Sequence, residues 1–525
     1  MSRRIYIYDT TLRDGMQGSE IAYTLEDKIL IAKKLDEIGI DYIEGGFPLS
    51  NEKEAEFFRR IKKADIKHAK IVAFGSTRKP KSSAKTDPNI QALLQAETPA
   101  AIVVGKTWKE HVKYVLQTSY EENLEMIYDS IKTLKEEGRE VFFDPEHFFD
   151  GYKDDPEYAV RVLETASQAG ADVLVLCDTN GGTLPFEVTR IMNELPKDRL
   201  KPLGGHFHND SGTAVANSLA AIEAGAVQIQ GTINGWGERT GNANLCVVIP
   251  NICLKMPYDA YVCKNLKHLT SLSRFVAEKA NIIPDKRQPY VGEAAFSHKA
   301  GQHVDVLNKA AHLMEHIDGS LVGNERKILL SELAGKSTIV KKLSKYGSFD
   351  KTSPEVKELL SKLKEAENLG YEYEAAEASF DLMMRKTLGK YMKLLDLGNY
   401  HLESFKTGEV PAKTVGRLFI KVDGREVMGA AVGVGPVETL DKALRDALSP
   451  FHPFLENIKL TDYKVRVLNP EKATEAKVRV FVTSSDGNHS WNTVGVSRNI
   501  VEASWQALID SIEYYYNNFV VEQGR

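Results

Sequence analysis

Residues 5–47, IYIYDTTLRDGMQGSEIAYTLEDKILIAKKLDEIGIDYIEGGF, hold one full turn of the pattern that decides the fold. The β-branched and aromatic run Ile5–Thr11 reads as a buried strand. Leu25–Ile38 reads as a helix, because Ile29, Ala32, Leu35 and Ile38 recur at helical spacing. Gly39 stops that helix, and Asp41–Phe47 reads as a second strand. The strand texture returns at Lys70–Ser76, Ala100–Lys106, Glu140–Glu146, Asp172–Thr179, Pro202–Asn209 and Gln228–Asn234. The helix signal returns at Tyr158–Ala169 and Ala214–Ala224, stopped by Gly170 and Gly225. Eight strands alternating with helices over ~250 residues predict a closed (β/α)8 TIM barrel, in preference to an open doubly wound sheet.

Beyond the barrel the texture changes twice. Cys263–Tyr400 is rich in Lys, Glu, Leu and Ala and reads as helical, with Pro354–Gly370 as a Pro-started, Gly-ended helix. From Thr414 strands are expected at Val415–Val422 and Glu426–Val434, then a helix at Val437–Leu448. Strands at Lys459–Leu468, Lys477–Thr483 and Trp491–Val496 precede a last helix from Ile500 to about Tyr516. GVGPVETLDKAL and GVSRNIVEASWQAL occupy matching places in these two units, a weak internal repeat. The expected organisation is a barrel over 1–275, a mainly helical linker over 276–405 and a small α+β domain over 406–525. The glycines at 429, 433 and 435 do not have the spacing of a dinucleotide-binding loop.

Composition narrows the function classes. The 525 residues are 42% hydrophobic and 27% charged, the balance of a folded globular chain. Lys+Arg 68 against Asp+Glu 73 gives a net charge of −5, which argues against nucleic acid as the main partner. No apolar run approaches the ~18 residues of a membrane span, and the charged start holds no signal-peptide core. The four cysteines form no C-x-x-C pair and are expected as reduced thiols in a cytoplasmic protein.

Catalytic groups in a barrel collect where strands run into the following loops. Arg13, Asp14 and Gln17 follow the first expected strand, Glu44 lies near the end of the second, and Glu146 closes the fifth. Thr179 closes the sixth, His206 and His208 the seventh, and Glu238 and Asn242 follow the eighth. His206 and His208 are two apart on a strand and so look the same way. With Asp14 and the Asn242 amide oxygen they form a donor set for a divalent ion with open positions, which does not choose among Mn, Mg, Zn and Co. An open ion beside Arg13 suits a 2-oxo acid that chelates it and develops oxyanion charge.

DTTLRDGMQ, HFHND and GERTGN together resemble the acyl-CoA-dependent Claisen-condensing barrel family of 2-isopropylmalate, homocitrate and citramalate synthases. ELAGKST and NIVEASWQALIDSIEYYY extend the resemblance over the whole chain, and YIEGGFPLSN and EHFFDGY point to its long citramalate-synthase branch. The resemblance implies a metal held by Asp14, His206, His208 and Asn242, with Glu238 supporting it from behind. It implies substrate contacts at Arg13, Gln17, Glu44 and Thr179, and Glu146 or His303 as the base that takes a proton from acetyl-CoA. It further implies pyruvate as acceptor, a homodimer in which His303 reaches the neighbouring active site, and isoleucine as effector on the C-terminal domain. One departure is Met314, where the family carries a Tyr before EHID.

Overall fold

A computed structural model describes residues 3–298, 306, 310–328, 336–373, 375–468 and 475–521. The chain forms two compact units, Met1–Phe296 with Ile317–Arg326, and Ser297–His316 with Lys327–Arg525.

The first unit is built on eight parallel strands: β1 Tyr6–Asp9, β2 Tyr42–Gly46, β3 Lys70–Ser76, β4 Ala100–Lys106, β5 Glu140–Glu146, β6 Val173–Asp178, β7 Leu203–Phe207 and β8 Gln228–Gly231. Each pairs with the next, and β8 returns to β1 through Tyr6↔Gln228 and Asp9↔Gly231, so the sheet is a closed barrel. Local chemistry punctuates it as expected. The helix Leu25–Ile38 starts at a capping box in which Thr24 Oγ1 accepts from the Asp27 amide at 3.1 Å. It ends at Gly39, whose φ of 94° a side chain would resist.

Two faces of the sheet pack differently. The outward residues join the surrounding helices in one large core that includes Ile7, Ile43, Val103 and Phe143. The inward ones, Tyr8, Tyr42, Val72, Ala100, Ile102 and Phe142, form a separate cluster. There Phe142 meets Tyr42 edge-on at 4.9 Å and Tyr8 at 5.8 Å. The barrel interior is therefore a plug and not a channel.

The cysteine expectation is corrected. Cys253 and Cys263 form a disulfide, and only Cys177 and Cys246 are free and buried. Cys253 lies in the helix Leu245–Lys255 and Cys263 in the 3-10 helix Tyr261–His268. Between them the chain folds back under the barrel, where Asp259 exchanges backbone hydrogen bonds with Arg3 and Ile5 at 3.1 and 2.7 Å. That reversal brings the two Cα atoms to 5.4 Å, a proximity that cysteine spacing alone does not reveal.

The second unit contains the short parallel pair β9 Ser297–His298 and β10 Lys327–Ile328, then the helices Lys336–Leu343, Pro354–Leu369 and Glu377–Thr387. Two antiparallel three-stranded sheets follow. The first is β11 Asp396–Phe405, β12 Lys413–Val422 and β13 Arg425–Gly433, and the second is β14 Lys459–Val467, β15 Val478–Ser485 and β16 Ser490–Ser497. The helices Pro436–Leu448 and Ile500–Tyr515 follow them, so the internal repeat is a repeated strand-strand-strand-helix unit. Strand β11 falls inside the stretch read as helical. Its sequence, DLGNYHLESF, is mostly exposed and lacks a buried alternation, and pairing with β12 is what makes it a strand. Among the described residues no helix is long and apolar enough to cross a membrane.

Candidate active site

Residues two apart on a strand share a face, so the layer above the plug is already determined. It contains Glu44 on β2, Phe74 on β3, Val104 on β4, Asp144 on β5, Cys177 on β6, His206 on β7 and Gln230 on β8, and Glu146 follows Asp144 one layer nearer the strand ends. Most of these, with Leu12, Asp14 and Thr179, line a cavity of about 440 Å3.

Asp14, His206 and His208 offer three ligand atoms within 4.8 Å of one another. His206 Nε2 lies 3.3 Å from Asp14 Oδ2 and 3.3 Å from His208 Nε2, and His208 Nε2 lies 3.8 Å from the same carboxylate oxygen. Such spacings suit donors ~2.0–2.2 Å from a shared ion. The Asp14 and Asn242 Oδ1 atoms are buried and have no hydrogen-bond partner among the described residues. Asn242 is carried to the site by backbone pairing with His208. Its amide nitrogen donates to Trp236 O at 3.3 Å, which leaves Oδ1 uncommitted. Gly237 permits this approach, since a Cβ there would stand 2.1 Å from the Asn242 amide nitrogen. Asp14, His206 and His208 thus fit a divalent ion, with the uncommitted Asn242 oxygen on the segment paired to His208.

The electrostatics agree. Burial works against charge on Asp14, but Arg13 and the two imidazoles outweigh it and hold the carboxyl well below its usual range. Burial, then the neighbouring His206, pushes His208 down to about 4, so it is a neutral donor at physiological pH. Gln230 Oε1 lies 2.9 Å from His206 Nδ1, where it can accept that nitrogen's proton and orient the ring, while burial works against charge on His206 and Asp14, facing its Nε2, raises the pKa despite it.

Arg13 is clamped. Its Nε donates to Glu44, its Nη1 lies 3.6 Å from Asp14 Oδ2, and its guanidinium stacks 4.1 Å from the Phe74 ring centre. Glu44, expected at the substrate, is 0% exposed and lies behind the cavity wall. One of its oxygens holds Arg13 and the other accepts from Tyr8 OH at 2.7 Å. The reason is geometric: Glu44 is one layer lower than the strand-end groups. Thr179 lines the cavity, and its Oγ1 accepts from the His147 amide at 2.8 Å, so its own proton is free to donate. Gln17 is exposed at the rim. Glu238, expected behind the metal, stands on the open rim with a side chain 57% exposed, paired to Arg239 at 3.0 Å. Glu146 lines the cavity and is held by Lys106. His303 lies outside the described residues.

Three inward residues escaped the reading of strand ends: Lys106, Asp144 and Gln230. Counting by two from Val104, Glu146 or Gln228 finds all of them. Asp144 is notable, since Oδ1 is buried without a partner among the described residues and burial pushes the carboxyl up to about 7.

Known proteins place the chain. Residues 4–276 match the HMGL-like family model, 290–370 the homocitrate synthase post-HMGL domain, and 374–516 the LeuA allosteric (dimerisation) domain. It is 51% identical to the (R)-citramalate synthase of Aquifex aeolicus, covering 98% of both chains, and 50% identical to that of Geobacter sulfurreducens, covering 97% of both. The chain belongs to the (R)-citramalate synthase family. The 2-isopropylmalate synthase of Methanocaldococcus jannaschii is 32% identical, covering 97% of this chain and 94% of the other.

Replacing Gln230 with Ala removes the acceptor that orients His206. Titration with Mn2+ should show metal affinity 10–100-fold weaker, with the melting temperature of the metal-free protein little changed. Unaltered affinity would detach Gln230 from the metal site.

Proposed function

We propose that this chain condenses acetyl-CoA with pyruvate, giving (R)-citramalate and free CoA, as an early cytoplasmic step of isoleucine biosynthesis. The observation that carries the reading is end-to-end identity of 50–51% with two citramalate synthases, against 32% with a 2-isopropylmalate synthase. The site supports it.

Asp14, His206, His208 and Asn242 would hold the metal, and a bound Mn, Mg, Zn or Co ion supplies Lewis-acid polarisation of a chelating 2-oxo acid. Arg13, clamped by Glu44, presents its guanidinium to the ketone oxygen. Thr179 donates its hydroxyl proton to the pyruvate carboxylate. Phe74, Val104 and Leu12 make an apolar wall for the methyl group. Glu146 stands at the edge of this wall, placed to take the methyl proton of acetyl-CoA, and His303 is the other candidate base. Water then hydrolyses the thioester of the citramalyl adduct. Gln17 and Glu238 stand on the rim above the bound acids.

Acceptor choice is tested by thiol release from acetyl-CoA with a panel of 2-oxo acids. Pyruvate should give the highest kcat/KM. A higher value with 2-oxoisovalerate or 2-oxoglutarate would overturn the assignment, since one methylene is worth only ~1–3 kcal/mol to a pocket.

The working unit is a homodimer that shares its sites, with His303 serving the partner's site. Inactive Arg13→Ala and inactive His303→Ala subunits, mixed under exchange, should regain part of the activity because a hybrid dimer holds one intact site. No recovery after verified exchange would count against sharing.

The second unit's paired sheets bind isoleucine, and this lowers substrate affinity. A coupling of ~1–3 kcal/mol raises the apparent KM 5–150-fold. Titrating the full-length enzyme with isoleucine, leucine and valine should show isoleucine as the strongest inhibitor, and no response to any of them would leave the domain an interface only.

A further inference from the structure

Lys106 is a cation built into the inner wall of the barrel. Ala100 and Ile102 belong to the plug, Val104 lines the metal-site cavity, and Lys106 is the next residue on the same face of β4. The parallel register sets Val104 beside Asp144 and Lys106 beside Glu146. The Lys106 ammonium donates to the Glu146 carboxylate, and the two side chains are 23% and 25% exposed. Both line a second cavity of about 240 Å3, which shares Val104 and Glu146 with the first. Arg78, also on that cavity, is committed to Glu122 at 2.7 Å and Asp129 at 3.0 Å. Arg13 is committed on the other side of the site to Glu44 and Asp14.

Condensation of a thioester with a ketone develops negative charge on two oxygens in turn. Arg13, with an ion that Asp14, His206 and His208 would hold, attends the ketone oxygen. None of the groups so far assigned attends the thioester oxygen. We propose that Lys106 is a catalytic residue whose ammonium binds the thioester carbonyl oxygen of the acyl-CoA and stabilises its charge during enolisation.

This rests on the acyl-CoA reading of the site. A proton leaves the methyl carbon for the base. The C–H electron pair forms the enolate double bond, and the carbonyl π pair moves onto the oxygen beside Lys106. That pair returns as the enolate carbon bonds to the ketone carbon, whose own π pair moves onto the ketone oxygen beside Arg13. No oxidant or further reactant is consumed. Where Glu146 is the base, accepting the proton removes its charge and frees Lys106 for the enolate oxygen as that oxygen becomes negative.

The test uses the full-length, metal-loaded enzyme with Lys106→Met and Lys106→Arg. Removing one oxyanion donor lowers kcat by ~10²–10³-fold, and that loss is expected for Lys106→Met. Affinity for free CoA, which lacks the carbonyl, should stay within about twofold by calorimetry, and metal content should be unchanged. Lys106→Arg should recover about tenfold of the loss. Added to Glu146→Gln, Lys106→Met should still lower the residual rate, because it touches substrate and does not act only through Glu146. Unimpaired kcat, a loss confined to CoA affinity, or no added loss in the double variant would each overturn the proposal. Should the Met variant fail to fold, Lys106→Gln carries the same measurements. Wild-type enzyme inactive with acetyl-CoA and every 2-oxo acid would instead overturn the reading of the site itself.

Discussion

Eight parallel strands closed on themselves leave one narrow interior, and alternate residues of every strand must enter it. Tyr8, Tyr42, Ile102 and Phe142 fill its lower part and close off the layer above them from below. The next inward positions stand on that plug and open only towards the strand ends. The site is therefore the top layer of the barrel's own packing, on rigid strands, with loops adding Arg13, Asp14 and Asn242 from the rim.

Burial then makes these groups depend on one another. Arg13 faces Glu44 and Asp14 where neither carboxylate is well hydrated, and deleting one member would leave an uncompensated charge. Asp14 is at once a partner of Arg13 and a member of the candidate metal site with His206 and His208, so one carboxylate ties the guanidinium to that site. Among the described inner groups, Asp14, Glu44, Asp144 and Glu146 face Arg13 and Lys106. Four carboxylates against two cations suit the placing of a divalent ion there, and burial is what pushes the Asp144 carboxyl up.

The second unit has a different logic. On β12, Thr414, Gly416, Leu418, Ile420 and Val422 are buried against the helix side while their neighbours are exposed. Each sheet is thus covered on one face by its own helix, and the outer face of the first keeps Val415, Phe419 and Met428 in the open. Exposed apolar residues on a sheet face match a domain that works by pairing, in keeping with the LeuA dimerisation match.

The sequence by itself determined the order of elements, the closure of the barrel and the rim residues Asp14, His206 and His208. Those signals are local: period-two and period-3.6 patterns, glycine stops, and polar groups just past each strand. Tertiary structure decided which of the polar groups face the cavity. Glu44 and Glu146 both lie near strand ends, yet one is sealed behind Arg13 and the other faces two cavities, because strand stagger sets their depth. It also decided that Cys253 meets Cys263, that β11 is a strand, and that Lys106 stands beside Glu146. Each of those depends on which segment lies alongside, and no pattern within a single segment carries that information.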